Sequence, residues 1–239
     1  MNTTNIQNQQ VVVEKPKLNF FAKTLLWFGY GLILTFLITF GLPAIFVAAG
    51  MDIETFETAL YVMCGVGVLG VLIFSIVIMI KSFSARGLGV ISFTLYSIFM
   101  GLALTPLYLI GATPTGMIGI LYSLAVTAGI FFIMGIIGIL SKGKIGAMLS
   151  LVIGFSIGAL TLSLVNLFVF NETIYWIVSF AILLIFILYV GIDFAIISKH
   201  PENAANGLAI LCAFNLYTDF IVIFIRLLPI ILKLLANKN

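Results

Sequence analysis

The sequence predicts an all-α integral membrane protein built as a bundle of seven transmembrane helices. Three observations predict it. Hydrophobic residues make up 63% of the 239 and charged residues only 8%, with a mean hydropathy of +1.30. A soluble domain with that balance would have almost nothing polar to present to water. The apolar residues also fall into runs of about 20 or more, the length that crosses about 30 Å of hydrocarbon. Finally, nearly all of the charges sit between the runs; only Asp193 and Asp219 interrupt them as acids.

In chain order, Met1–Asn19 is polar and rich in Asn and Gln. It lacks a basic segment leading straight into a short apolar core, so it reads as a short disordered tail rather than a secretory signal. Residues 20–239 then form a single membrane domain. Its spans are Leu25–Ala49, Ala59–Ile80, Leu88–Ile110, Gly116–Leu140, Ile145–Phe170, Ile174–Ile197 and Gly207–Leu235. The uncharged stretch Gly87–Ser141 is too long for one crossing, and Gly111-Ala112-Thr113-Pro114-Thr115 supplies its turn.

Flanking charges set the orientation. Lys15, Lys17 and Lys23 precede the first span, and Asp52, Glu54 and Glu57 follow it. Lys81 and Arg86 follow the second, Lys142 and Lys144 the fourth, and Lys199 the sixth. Lysine and arginine favour the cytoplasmic side, which places the N-terminus inside the cell. Lys233 and Lys238 then lie outside, against the rule, so six spans followed by a re-entrant segment is the competing arrangement.

Several motifs have plain structural readings. Gly65-Val66-Gly67-Val68-Leu69-Gly70 spells a dinucleotide fingerprint but lies inside an apolar run, without the strand–turn–helix setting that such a motif requires. Gly154/Gly158 and Gly135/Gly138 are small-residue faces suited to close helix packing. Pro43, Pro106 and Pro229 kink their helices, with Thr105 placed to satisfy a freed carbonyl. Cys64 and Cys212 read as small buried hydrophobes. No basic stripe exists for nucleic acid. His200 is the only histidine, HExxH and DDxxD motifs are absent and no GxSxG nucleophile elbow is expected, so an enzyme is not expected. No lysine lies deep in a span, which removes a retinal Schiff base.

Asp193 and Asp219 remain. An ionisable group at bilayer depth costs at least about 2.5–3.5 kcal/mol on insertion scales and calls for a function with a named partner. Asp219 lies 12 residues into the last span and Asp193 six residues before Lys199. At 1.5 Å per residue the two are about 9 Å apart in depth. Two carboxylates in one low-dielectric site do not both ionise cheaply. A shared proton would join the helices, and its loss would leave charges that repel or that a cation bridges. Hard cations such as calcium take about six to eight oxygen ligands, so two carboxylates suit transit rather than storage. Tyr189 and Asn215, each one turn before an acid, are placed to hydrogen-bond it. Arg226 lies seven residues beyond Asp219 on the same face and reads as snorkelling to the outer surface.

The last span, from Asn215-Leu216-Tyr217-Thr218-Asp219-Phe220 to Ile225-Arg226-Leu227-Leu228, resembles the closing signature of the Bax inhibitor family. Gly101-Leu102-Ala103-Leu104-Thr105-Pro106-Leu107 is similar to its third-span motif, and Asp193 followed by Lys199 to its sixth-span acid. The resemblance implies seven helices with the last one central. Through bacterial relatives it implies a pH-sensitive calcium leak governed by the aspartate pair. Lys81 stands where relatives carry an arginine that pairs with the sixth-span acid, and a lysine acts there as a point charge. The expected function is a pH-sensitive calcium (cation) leak of the cell membrane, with calcium as the transported ion and no cofactor. The alternatives are a non-transporting membrane regulator that binds a protease or stress-pathway partner, and a cation/proton exchanger.

Overall fold

The computed structural model describes residues 19–81, 86–141, 146–201 and 205–237. These residues form eight α-helices: α1 (Phe20–Ala48), α2 (Ile53–Lys81), α3 (Arg86–Ala103), α4 (Leu107–Gly111), α5 (Pro114–Leu140), α6 (Gly146–Val169), α7 (Glu172–Ile197) and α8 (Asn206–Ala236). In lipid every backbone group must be satisfied within the segment, and helices do this residue by residue. The tail residues 1–18 lie outside the described residues, but Asn19 does not belong to a tail. Its side chain caps α1, accepting the Ala22 N–H at 2.9 Å.

Eight helices replace the seven expected because the third apolar run breaks at Leu104–Pro106, separating α3 from α4. Pro106 has no N–H to give the turn before it. The Thr105 hydroxyl compensates, donating to the Leu102 carbonyl at 2.8 Å and reaching the Leu60 carbonyl of α2 at 3.3 Å. Pro43 and Pro229 lie within continuous α1 and α8. Five helices are long and apolar enough to cross a membrane, namely Phe20–Ala48, Ile53–Ile80, Pro114–Leu140, Met148–Val169 and Glu172–Ile197, while Gly89–Ala103 is a shorter apolar helix. Large apolar side chains such as Phe132, Leu140, Leu167 and Phe168 stand exposed, as a lipid-facing surface requires.

The connections follow from local chemistry. α1 ends with Gly50 at φ 76°, the Gly50 N–H donating to Val47 and the Met51 N–H to Phe46, a Schellman closure that needs the left-handed residue. Asp52 begins α2 by accepting the Thr55 N–H at 2.9 Å. Thr113 caps α5 ahead of Pro114, so the Gly111–Thr115 turn forms where the sequence placed it. Phe170 adopts a positive φ of 49° after α6, and Asn171 then caps α7 by accepting the Thr173 and Ile174 N–H groups.

α8 is surrounded by α1, α3, α5 and α7, in the central position that the family resemblance implies. Leu216, Tyr217, Ile223 and Phe224 are fully buried along it. α2 packs mainly on α3, and α6 on α7. Glycine permits the closest approaches. A Cβ on Gly67 would strike the Ala103 backbone, and one on Gly138 would strike the Gly191 carbonyl oxygen. Gly67 and Gly70 of the fingerprint-like run therefore serve helix packing, as does the Gly135/Gly138 face, whereas a Cβ on Gly65 would meet nothing within 4 Å.

Gly154 and Gly158 do not. A Cβ on either would meet nothing within 4 Å, because their side of α6 turns away from the bundle. Gly154-Phe155-Ser156-Ile157-Gly158 also spells GxSxG. It lies inside continuous α6, without the strand-to-helix elbow that exposes a nucleophile.

Two outcomes follow from this packing. Gly138→Val is expected to lower stability by about 1–3 kcal/mol through overpacking, whereas Gly154→Val leaves it nearly unchanged; thermal unfolding in detergent reads the difference. Thr55, through its backbone N–H and then its hydroxyl, holds the Asp52 carboxyl below its ordinary 3.8. A carboxylate depressed by folding contributes stability above its unfolded value and loses that contribution as pH falls through the folded one. Asp52→Ala should thus speed amide exchange in the first turn of α2 at neutral pH, and the two proteins should converge in strong acid.

Candidate functional site

Asp219 sits on α8 with 6% of its surface exposed, and its Oδ2 atom is buried with no hydrogen-bond partner among the described residues. Asp193 lies on α7, partly buried. Both line one cavity of about 460 Å³, together with Tyr189, Asn215, Thr218 and, from α2 and α3, Ser75 and Tyr96. The fold therefore brings the two sequence-identified acids to a common space.

Their spacing is set by the register of α7 against α8. Glu172, the first residue of α7, accepts from Trp176 Nε1 at 3.2 Å and pairs with Lys233 Nζ at 3.6 Å, and Lys233 lies 4.7 Å from the centre of the Trp176 ring. Seven residues further along α7 and seven back along α8, Arg226 donates to the Ser179 hydroxyl at 3.3 Å. The helices are thus antiparallel, and continuing this register puts Asp219 level with Phe186 and Asp193 level with Cys212. The acids are stepped by seven residues, about 10 Å at 1.5 Å per residue. This axial step agrees with the offset of about 9 Å obtained by counting.

Tyr189 and Asn215 occupy the levels in between. Neither hydrogen-bonds the acid one turn away, contrary to expectation. Instead all four polar groups border the same cavity, in the axial order Asp219, Tyr189, Asn215, Asp193. Such a ladder can pass a proton or a partly hydrated cation between the carboxylates through water. Among the described residues no group of three or more His, Cys, Asp and Glu could hold a metal, so a cation finds carboxylates here rather than a cage.

The rotation of α8 is fixed by hydrogen bonds on its opposite side. The Tyr217 hydroxyl bonds Thr35 of α1, whose own hydroxyl reaches the Ser97 carbonyl of α3 at 3.1 Å. Thr39 repeats the arrangement one turn on, donating to the Gly101 carbonyl at 3.1 Å. Successive α8 side chains are about 100° apart, so burying Tyr217 against α1 and α3 turns Asp219 toward the cavity. Sequence reasoning missed this anchor. Its signal was Thr35 and Thr39, two hydroxyls one turn apart in an otherwise apolar run.

The remaining predicted residues separate. Lys81 closes α2, and its side chain lies outside the described residues. Arg226 donates to Ser179 of α7.

Long helices with an apolar exterior and ionisable groups turned inward define a multi-pass membrane protein. The sequence profile described as "Inhibitor of apoptosis-promoting Bax1" matches residues 17–238, and the chain belongs to that Bax inhibitor family. It is similar to an uncharacterized membrane protein of Streptococcus pyogenes serotype M3, 32% identical over 108 residues, covering 44% of this chain and 47% of the relative. It is also similar to inner membrane protein YbhL of Escherichia coli strain K12, 28% identical over 159 residues, covering 64% and 66% respectively. The matched region spans about half the length of the streptococcal relatives.

Removing the Tyr217 hydroxyl should be costly. Tyr217→Phe is expected to lower stability by about 0.5–1.5 kcal/mol, the usual net contribution of one hydrogen bond; Thr35→Val also removes the bond to the Ser97 carbonyl and should cost more, with the double variant costing less than the sum of the two. Chemical or thermal unfolding of the single and double variants checks this coupling.

Proposed function

We propose that this chain is a pH-sensitive calcium (cation) leak of the cell membrane, with Asp193 and Asp219 as the proton-controlled carboxylates on the ion path. The observation that carries the reading is their shared cavity within a lipid-facing bundle, bordered also by Tyr189 and Asn215. A protonated pair presents no charge to a cation. As pH rises and the protons leave, the cavity gains negative charge, attracts cations and pushes α7 and α8 apart by mutual repulsion. Coordination by two stepped carboxylates is weak enough for release. The family and the name of the Escherichia coli relative, an inner membrane protein, support the cell membrane as the site of action.

In this reading α3 and α4 form one broken crossing, so the eight helices make seven passes. The basic residues around α1 and after α2 place the N-terminus in the cytoplasm. Labelling of single cysteines introduced beside Asn19 and Asn237 with an impermeant reagent distinguishes this arrangement from six passes.

The function is tested by calcium influx into liposomes containing the purified protein. Influx is expected to rise from acidic to mildly alkaline pH. Asp219→Asn and Asp193→Asn should each reduce it several-fold and flatten its pH profile. Unchanged influx and pH dependence in both variants would overturn the proposal.

A further inference from the structure

A second polar site lies two turns along α8 from Asp219, in the groove between α6 and the α7–α8 pair. Arg226 stands ten residues before the end of α8, about 15 Å below it at the helical rise. Its guanidinium carries five N–H groups and gives one hydrogen bond, to Ser179. No carboxylate pairs with it among the described residues, where Glu172 is taken by Lys233.

The face that α6 turns toward Arg226 is the polar one. Ser156, Ser163 and Asn166 follow at intervals of seven and three residues, with Leu160 and Leu167 at the edges of that face and Leu164 exposed outside it. Ser163 and Asn166 line a cavity of about 330 Å³ with Ser179 and Arg226. Asn166 spends its carbonyl oxygen on the Asn171 N–H at 2.8 Å, which leaves its amide hydrogens for an acceptor elsewhere. The site thus offers a fixed cation and several neutral donors, and it needs an anion.

A second cavity of about 510 Å³ adjoins the first, sharing Ser163, Ile182 and Arg226, and continues between Leu160, Ile185 and Phe186 to Tyr189. Its walls are mainly apolar. Phe186 and Tyr189 also border the aspartate cavity, so the groove ends where that cavity begins. A charged head compartment near one end of the helices, followed by an apolar trough open toward the lipid, has the form of a phospholipid.

From this geometry we infer that the α6–α7–α8 groove binds an anionic phospholipid, with its phosphate held by Arg226, Ser163, Ser179 and Asn166 and an acyl chain laid toward Tyr189. Charge complementarity selects the occupant. A lone arginine at this depth favours a phosphate with net negative charge over a zwitterionic headgroup, which carries its own cation. The site is independent of calcium passage, although a chain seated there would cover one approach to the aspartates.

The test is native mass spectrometry of the full chain exchanged from detergent into phosphatidylglycerol, phosphatidylcholine or inorganic phosphate. The wild type should retain phosphatidylglycerol at least about tenfold better than phosphatidylcholine. Arg226→Gln should abolish that preference, and Lys199→Gln, at the opposite end of α7, should keep it. Photoactivatable phosphatidylglycerol on the wild type should label peptides within residues 160–186, which tests the site even if Arg226→Gln fails to fold. Equal retention of the two lipids, or labelling elsewhere, would overturn the inference. So would displacement of the lipid by millimolar inorganic phosphate, which would mark a site for a free anion.

Discussion

The structure is organised around an unfavourable placement: a carboxylic acid near the middle of the most enclosed helix of a membrane protein. Asp219 gains no hydrogen bond for its buried Oδ2 among the described residues, yet α8 is held so that this side chain reaches the cavity. The Tyr217–Thr35–Ser97 chain ties one face of α8 to α1 and α3, and the exposed Glu172–Trp176–Lys233 cluster marks its register along α7. A residue that costs several kcal/mol to bury and is held so firmly is best explained by what it does when its protonation changes.

The stepped arrangement decides what kind of chemistry is available. Carboxyl groups in direct contact would share one proton in a short hydrogen bond. Groups on residues stepped by about 10 Å along the helices interact through the cavity, and unit charges at a separation of that size carry about 1.7 kcal/mol at an effective dielectric of 20. That is enough for each to sense the other's charge. Tyr189 and Asn215 offer intermediate hydrogen-bonding positions. In the proposed function the cavity would couple protonation to ion occupancy without a dedicated ligand cage.

Much of this was legible in the sequence because lipid imposes a simple code. Run length, flanking charge and the Gly111–Thr115 turn located the helix ends to within six residues, and the two interrupting acids line one cavity. Three features were not legible. The break at Pro106 depends on whether the partner helix offers its carbonyl to Thr105, a tertiary question. The fate of Gly154 and Gly158 depends on which face of α6 meets α7, and an almost uniformly apolar helix does not declare its faces. The side interaction of Arg226 with Ser179 required the α7–α8 register, which Glu172 and Lys233 set from 61 residues apart.

The central claim is that Asp193 and Asp219 titrate as one electrostatic unit inside the bundle. Infrared difference spectroscopy of the carboxyl C=O stretch across pH, in the wild type and in each single Asp→Asn variant, tests it most directly. The account predicts that removing either carboxylate moves the titration midpoint of the other by about one pH unit, the equivalent of the interaction given above. Two bands whose midpoints stay put when the partner is replaced would contradict it.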